Sequence, residues 1–219
     1  MAQISCVVIF VDRPQFTFTE VSAAVQKNFK EFENMDPKQL VLNPNQSIDN
    51  VPDDVPVCIF HADGSEILLA KNRFTFIERV GDKELRECYS EKVKEMLDSI
   101  TEVFMSVTRF EDLKYRLGIV IEGSFSTKEV ALRSLQKVIG DNSDLCHDEI
   151  EVSVNDSKSV QEFVVNSWKR IYINENGNTF LFDINNHINT PANNKDTKIN
   201  ELYDKCIKAE LGVVMDVDL

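Results

Sequence analysis

One short segment occurs twice in this chain, and that repeat limits the fold more than any other feature. Phe16-Thr17-Phe18-Thr19-Glu20-Val21 returns as Phe125-Ser126-Thr127-Lys128-Glu129-Val130, almost half of the 219-residue chain later. Each copy follows an apolar run and opens a helical pattern. Thr17 with Glu20, and Ser126 with Glu129, have capping-box spacing. The hydroxyl accepts from the amide three residues on, and the carboxylate reaches back to the cap amide. The repeat predicts one domain built of two similar halves, 1–112 and 113–219.

The order of elements extends the prediction. Ile4–Val11 is a dense β-branched run that reads as a central strand. A capped helix follows, with Val21, Ala24, Val25, Phe29 and Phe32 on one stripe. Asn34–Asp54 is polar and contains Pro37, Pro44 and Pro52, so it reads as a long connection with a short strand near Gln39–Leu42. Val55–His61 and Glu66–Ala70 read as a hairpin closed by Asp63-Gly64, and Arg73–Val80 as a further strand. A long helix spans Lys83–Val107. The second half begins with a strand at Lys114–Glu122 and a helix that stops at Gly140-Asp141-Asn142. Strands are expected at Asp148–Val154, Glu162–Asn174 and Thr179–Ile184, with a turn at Asn176-Gly177. Asn185–Lys195 reads as a loop, and Asp196 as the cap of a last helix carrying Ile199, Leu202, Tyr203 and Cys206 inward. The expected class is α+β. Two βαβββα halves would share a largely antiparallel sheet, with the long helices packed on one face.

Two resemblances follow. The order of elements resembles the duplicated TATA-binding-protein-like and helix-grip architectures. The apolar first strand, Gly64-Ser65 leading into Arg73-Phe74, the long helix, and Arg116-Leu117-Gly118-Ile119 together resemble a sporadically distributed prokaryotic family to which no function is assigned. That likeness covers roughly residues 4 to 123. It implies a bacterial or phage protein and no activity; a regulatory or defence-related role is associated with such an origin only.

Composition narrows the function. The formal charge is -13, which opposes binding to duplex nucleic acid, where Lys and Arg must neutralise phosphates. Cys6, Cys58, Cys88, Cys146 and Cys206 are odd in number and widely spaced, as expected of reduced thiols in a cytoplasmic protein. The N-terminus lacks the pattern of a signal peptide, and no run is long enough to span a membrane.

No catalytic, cofactor or metal motif is expected. Cys146-His147-Asp148-Glu149 gathers catalytic residue types, but a nucleophile and its base normally meet from separate segments. His61, Asp63, Cys146, His147 and His187 fit no metal-ligand spacing, and the calcium-type oxygens of Asp141-Asn142-Ser143-Asp144 lack a downstream glutamate. The leading expectation is therefore a non-catalytic protein that binds a protein partner, with a basic one favoured by the negative charge. Glu87, Glu91 and Glu95 on the charged face of the long helix supply an acidic contact surface. Trp168 and Arg170 share one strand face and form a candidate interface anchor; the plainer alternative is a buried tryptophan beside solvated charges. The rival expectation is a small-ligand binder or enzyme with a pocket between sheet and helices, using Arg73, Glu78, Arg116 and Trp168.

Overall fold

The computed structural model describes residues 2–12, 17–40, 50–107, 112–140, 148–209 and 211; side chains 82–84, 86 and 87 lie outside this description. The protein is α+β, with a large antiparallel sheet and four helices. In chain order the elements are β1 (Ala2–Phe10), α1 (Phe18–Asn28), a 3-10 turn (Lys30–Phe32), β2 (Lys38–Gln39), β3 (Cys58–Ala62), β4 (Ser65–Leu69) and β5 (Arg73–Val80). Then come α2 (Asp82–Val107), β6 (Lys114–Ser124), α3 (Lys128–Ile139), β7 (Glu149–Val160), β8 (Phe163–Asn174), β9 (Thr179–Ile188), β10 (Ala192–Asn193) and α4 (Ile199–Cys206). The strands lie in the order β2-β3-β4-β5-β1-β6-β9-β8-β7, and β10 adds to β6. β1 and β6 form the centre and pair antiparallel about Cys6 opposite Ile119.

Strict alternation gives the sheet two unlike faces. Ile4, Cys6, Val8 and Phe10 of β1, and Tyr115, Leu117, Ile119 and Ile121 of β6, are buried. This face carries the helices. Phe104 of α2 packs edge-on against Phe10 and Phe74, Phe29 against Phe76, and Phe32 lies against Phe60. Tyr115 donates to Thr197 O just before α4, and Phe125, which leads into α3, lies against Phe182. Burial of the Cys6 thiol among these groups pushes it far above its usual pKa. Cys6, Cys58 and Cys206 are buried free thiols, Cys88 is half-buried, and Cys146 lies outside the described residues.

Local details correct several sequence expectations. The box at Thr17 forms as expected, with Glu20 N donating to Thr17 Oγ1 (3.2 Å) and Thr17 N to Glu20 Oε2 (2.7 Å). The second box does not. Thr127, not Ser126, is the cap of α3, and its Oγ1 accepts from Val130 N at 3.3 Å. The last helix begins after Lys198, with no side-chain cap, so Asp196 does not have the role expected of it. The first hairpin needs only one positive φ, at Gly64 (83°). β7 runs on to Val160 and turns through Gln161 (φ 55°) into β8. The largest correction is at 185–188: these residues continue β9, pairing with β6 through Gly118–His187 and with β8 through Asn166–His187. β-pairing on both sides overrides the turn preference of Asn185 and Asn186. Leu42, the tail 213–219 and the cluster members Cys146 and His147 lie outside the described residues.

Candidate binding face of the sheet

Among the described residues, no helix lies on the second face of the sheet. Its residues are the alternate members of each strand, and the registers stack them in rows across the sheet. One row runs Arg79, Gln3, Glu122, Asp183, Arg170 and Ser153. The next runs Ile77, Ser5, Val120, Asn185, Trp168 and Asn155, and a third runs Thr75, Val7, Gly118, His187, Asn166 and Ser157. Beyond them Ile9 sits between Arg73 and Arg116. Few residues here are fully buried. Ile9 is 36% exposed, Val164 37% and Leu181 43%, and Trp168 and Tyr172 are half-buried.

Arginines gather on this face. Arg73, Arg79, Arg116 and Arg170 all project from it, although the chain as a whole carries a charge of -13. Arg73 Nη2 donates to Asp54 O at 2.7 Å, which ties the preceding loop to the sheet. Arg170 Nε lies 2.9 Å from Glu151 Oε1, an ion pair without hydrogen-bond alignment. Burial, and the positive charge of Arg116, hold the His187 pKa below its usual value.

A cavity of about 480 Å³ opens on this face at the first row. Glu122 and Asp183 sit directly opposite each other within it, on neighbouring strands. Like charges so placed repel. Glu122 accepts from Gln3 Nε2 at 3.1 Å. Burial first, and then the Glu122 charge, push the Asp183 carboxyl above its usual range, against the pull of Arg170. Arg79 lines one side, and Tyr172 and Leu181 the other. Gly123 beneath the cavity is a close-packing position. A Cβ there would come within 2.7 Å of the Phe182 ring and 3.1 Å of Ala2 Cβ.

Only part of the site expected from sequence comes together. Trp168 and Arg170 share the helix-free face in successive rows, as their spacing predicted. Trp168 is half-buried there, and Lys169, on the helix side, is 9% exposed. Glu91 and Glu95 are exposed on α2, in the helix layer and away from that face, and Glu87 lies outside the described side chains. Their surface is partly neutralised: Lys92 bonds Glu78 at 2.5 Å and lies 4.0 Å from Glu95, and Lys94 bonds Asp204 at 3.0 Å. The four residues expected to line an inner pocket do not converge. Arg73 and Arg116 flank Ile9 on the open face, Glu78 is held by Lys92 of α2, and Trp168 lies two strands beyond β6. Gln3, Arg79, Glu122 and Asp183 were not foreseen. Their alternation was readable within each strand, but the strand neighbours that unite them were not.

Among the described residues no group of three or more His, Cys, Asp or Glu side chains could hold a metal ion, and no helix is long and apolar enough to cross a membrane. No protein-family model matches the chain, and no curated protein matches it.

Proposed function

We propose that this protein acts without catalysis, by binding a protein partner on the helix-free face of its sheet. The observation that carries the reading is the composition of that face. Trp168, Tyr172 and four arginines stand among half-exposed Ile9, Val164 and Leu181. Tryptophan, tyrosine and arginine are the residues that concentrate binding energy at protein interfaces. Arginine suits such a surface because its planar fork stacks on aromatic rings and pairs with carboxylates or carbonyls. The partner's contacting surface is therefore mixed, with acidic groups set for Arg73 and Arg116. A partner that is basic overall is steered from a distance by the acidic helix layer carrying Glu91 and Glu95, so its association is fastest at low salt.

The same reading includes a duplicated build. The strands run β1-β5-β4-β3 outward from the centre on one side and β6-β9-β8-β7 on the other, and Thr17 and Thr127 cap the helix that follows each central strand. Such a duplication sets the broad surface across β1 and β6, where two similar halves meet. A prokaryotic or phage regulatory or defence-related setting belongs to this reading through the sequence resemblance alone.

The test is a comparison of variants as bait in an extract of the native cells. A partner captured by the unaltered protein should be lost with Trp168→Ala combined with Arg170→Ala. It should be kept, with slower association, by Glu91→Lys combined with Glu95→Lys. Capture that survives the first pair and fails with the second would overturn the proposal.

A further inference from the structure

We infer that the cavity at Gln3, Arg79, Glu122, Asp183 and Arg170 is a binding site for an α-amino-acid zwitterion. The inference goes beyond partner docking, although the cavity shares Arg170, Tyr172 and Leu181 with the proposed docking face. Its starting point is a missing cation. Asp183 is half-buried, faces Glu122 across the ladder, and its carboxylate has no hydrogen bond or close ion pair among the described residues. Arg170 is its direct neighbour on β8, yet that guanidinium turns to Glu151. Two carboxylates are thus held side by side at the wall of a cavity, and the cation beside them, Arg170, is shared: its charge acts on Asp183 while its Nε pairs with Glu151. An unpaired half-buried charge costs stability, and proteins keep such groups where they serve a ligand.

The missing cation has organic character. Two carboxylates and one amide are too few ligands for a caged divalent ion, which takes six or more oxygens. A primary ammonium needs only two or three acceptors, and Glu122 and Asp183 provide them. Arg79, on the far side of Gln3, is exposed, and its side chain makes no hydrogen bond or ion pair among the described residues. Its guanidinium is free to take a carboxylate in bidentate fashion. Gln3 stands between the two and already donates to Glu122, leaving its carbonyl oxygen to accept a further N–H. The other wall is Tyr172 and half-exposed Leu181, which suits an apolar or aromatic side chain. The site therefore takes an ammonium at Asp183 and Glu122, a carboxylate at Arg79, and an apolar group toward Leu181. A volume of about 480 Å³ lies within the ordinary range of small-molecule sites.

The probes are the twenty L-α-amino acids, titrated singly into the full chain by calorimetry with amide NMR. Any that binds is then compared with its decarboxylated amine and its N-acetyl derivative. At least one amino acid with an apolar or aromatic side chain should bind with a Kd of about 1 mM or tighter. Asp183→Asn and Arg79→Gln should each weaken it by about tenfold or more, as loss of a charge-assisted pair does. Both derivatives should bind far more weakly, the amine because it lacks the Arg79 contact and the N-acetyl form because it lacks the ammonium. Glu91→Lys should leave binding unchanged. Asp183→Asn should also raise the thermal midpoint of the empty protein, which shows that the variant is folded. Absence of binding by all twenty, binding indifferent to both variants, or an amine as good as its parent amino acid would overturn the inference. None of these outcomes bears on partner capture through Trp168, so the two proposals fail separately.

Discussion

The two faces of the sheet have the same strands and the same pairing, yet they carry opposite chemistry. On the helix side, Ile4, Cys6, Val8, Ile119 and Ile121 are sealed from water by α2 and its neighbours. On the other side, the residues one position away include Gln3, Ile9, Arg116, Glu122 and Trp168, and none of these is fully buried. A strand's period of two makes this division unavoidable. Only the first face is needed to hold the fold together. The second is free to vary, and an antiparallel sheet tolerates water there. On the proposed function, the apolar and arginine side chains of the second face meet the partner. Substitutions on the two faces should separate stability from binding.

The largest expected effect is on the helix side. Phe104 is fully buried and packs edge-on against Phe10 and Phe74. Phe104→Ala should cost about 3–5 kcal/mol in equilibrium denaturation. A loss much below that would mean the helix layer is not sealed as described. Gly123→Ala comes next, because its new Cβ must displace the Phe182 ring beneath the cavity. The expected cost is about 1–3 kcal/mol, the usual penalty of overpacking. An unchanged midpoint would show that Phe182 swings aside freely.

The caps sharpen a second contrast, between α1 and α3. Thr17→Ala and Thr127→Ala should each cost on the order of 1 kcal/mol, and Ser126→Ala should cost nothing measurable. Denaturation midpoints of the three variants rank them directly. Glu20 hydrogen-bonds to the Thr17 amide and hydroxyl, which holds its carboxyl below the usual range. A depressed folded-state pKa stabilises above the unfolded value and is lost as pH falls through the folded one. Glu20→Gln should accordingly flatten the acid limb of the stability curve.

Asp183 has the opposite sign. Its carboxyl titrates above the usual range in the folded protein. Its ionised form therefore opposes folding: stability falls as pH rises from the unfolded value through the folded one. Asp183→Asn should remove that slope and leave the protein slightly more stable at neutral pH. Trp168→Ala should cost far less stability than Phe104→Ala, because its side chain is only half-buried on the face without helices, while abolishing partner capture.

The split between faces also explains what could be read from sequence. The strands at Ile4–Val11, Arg73–Val80 and Lys114–Glu122, the long helix and the Thr17 box were legible because their signals are local: period, caps and turn residues. Trp168 and Arg170 could be placed on one face from spacing alone. The extension of β9 through Asn185, Asn186 and His187 was not legible, since asparagine favours turns and only pairing with β6 and β8 holds it extended. The Ser126 box failed because Thr127 offers the same hydroxyl one position later, where the helix starts. The cavity was hidden for a topological reason. Gln3, Arg79, Glu122 and Asp183 lie on four strands whose neighbours are set by long-range pairing, with β9 rather than β7 beside β6.

The most direct test of the central claim is hydroxyl-radical footprinting of the captured complex, because the two faces carry oxidisable probes. Trp168 reports on the helix-free face, and Met105, 63% exposed on α2, reports on the helix layer. The proposed docking mode predicts that Trp168 and Tyr172 are strongly protected in the complex while Met105 oxidises as fast as in the free protein. Protection of Met105 with Trp168 left fully reactive would contradict it and move the contact to the helices.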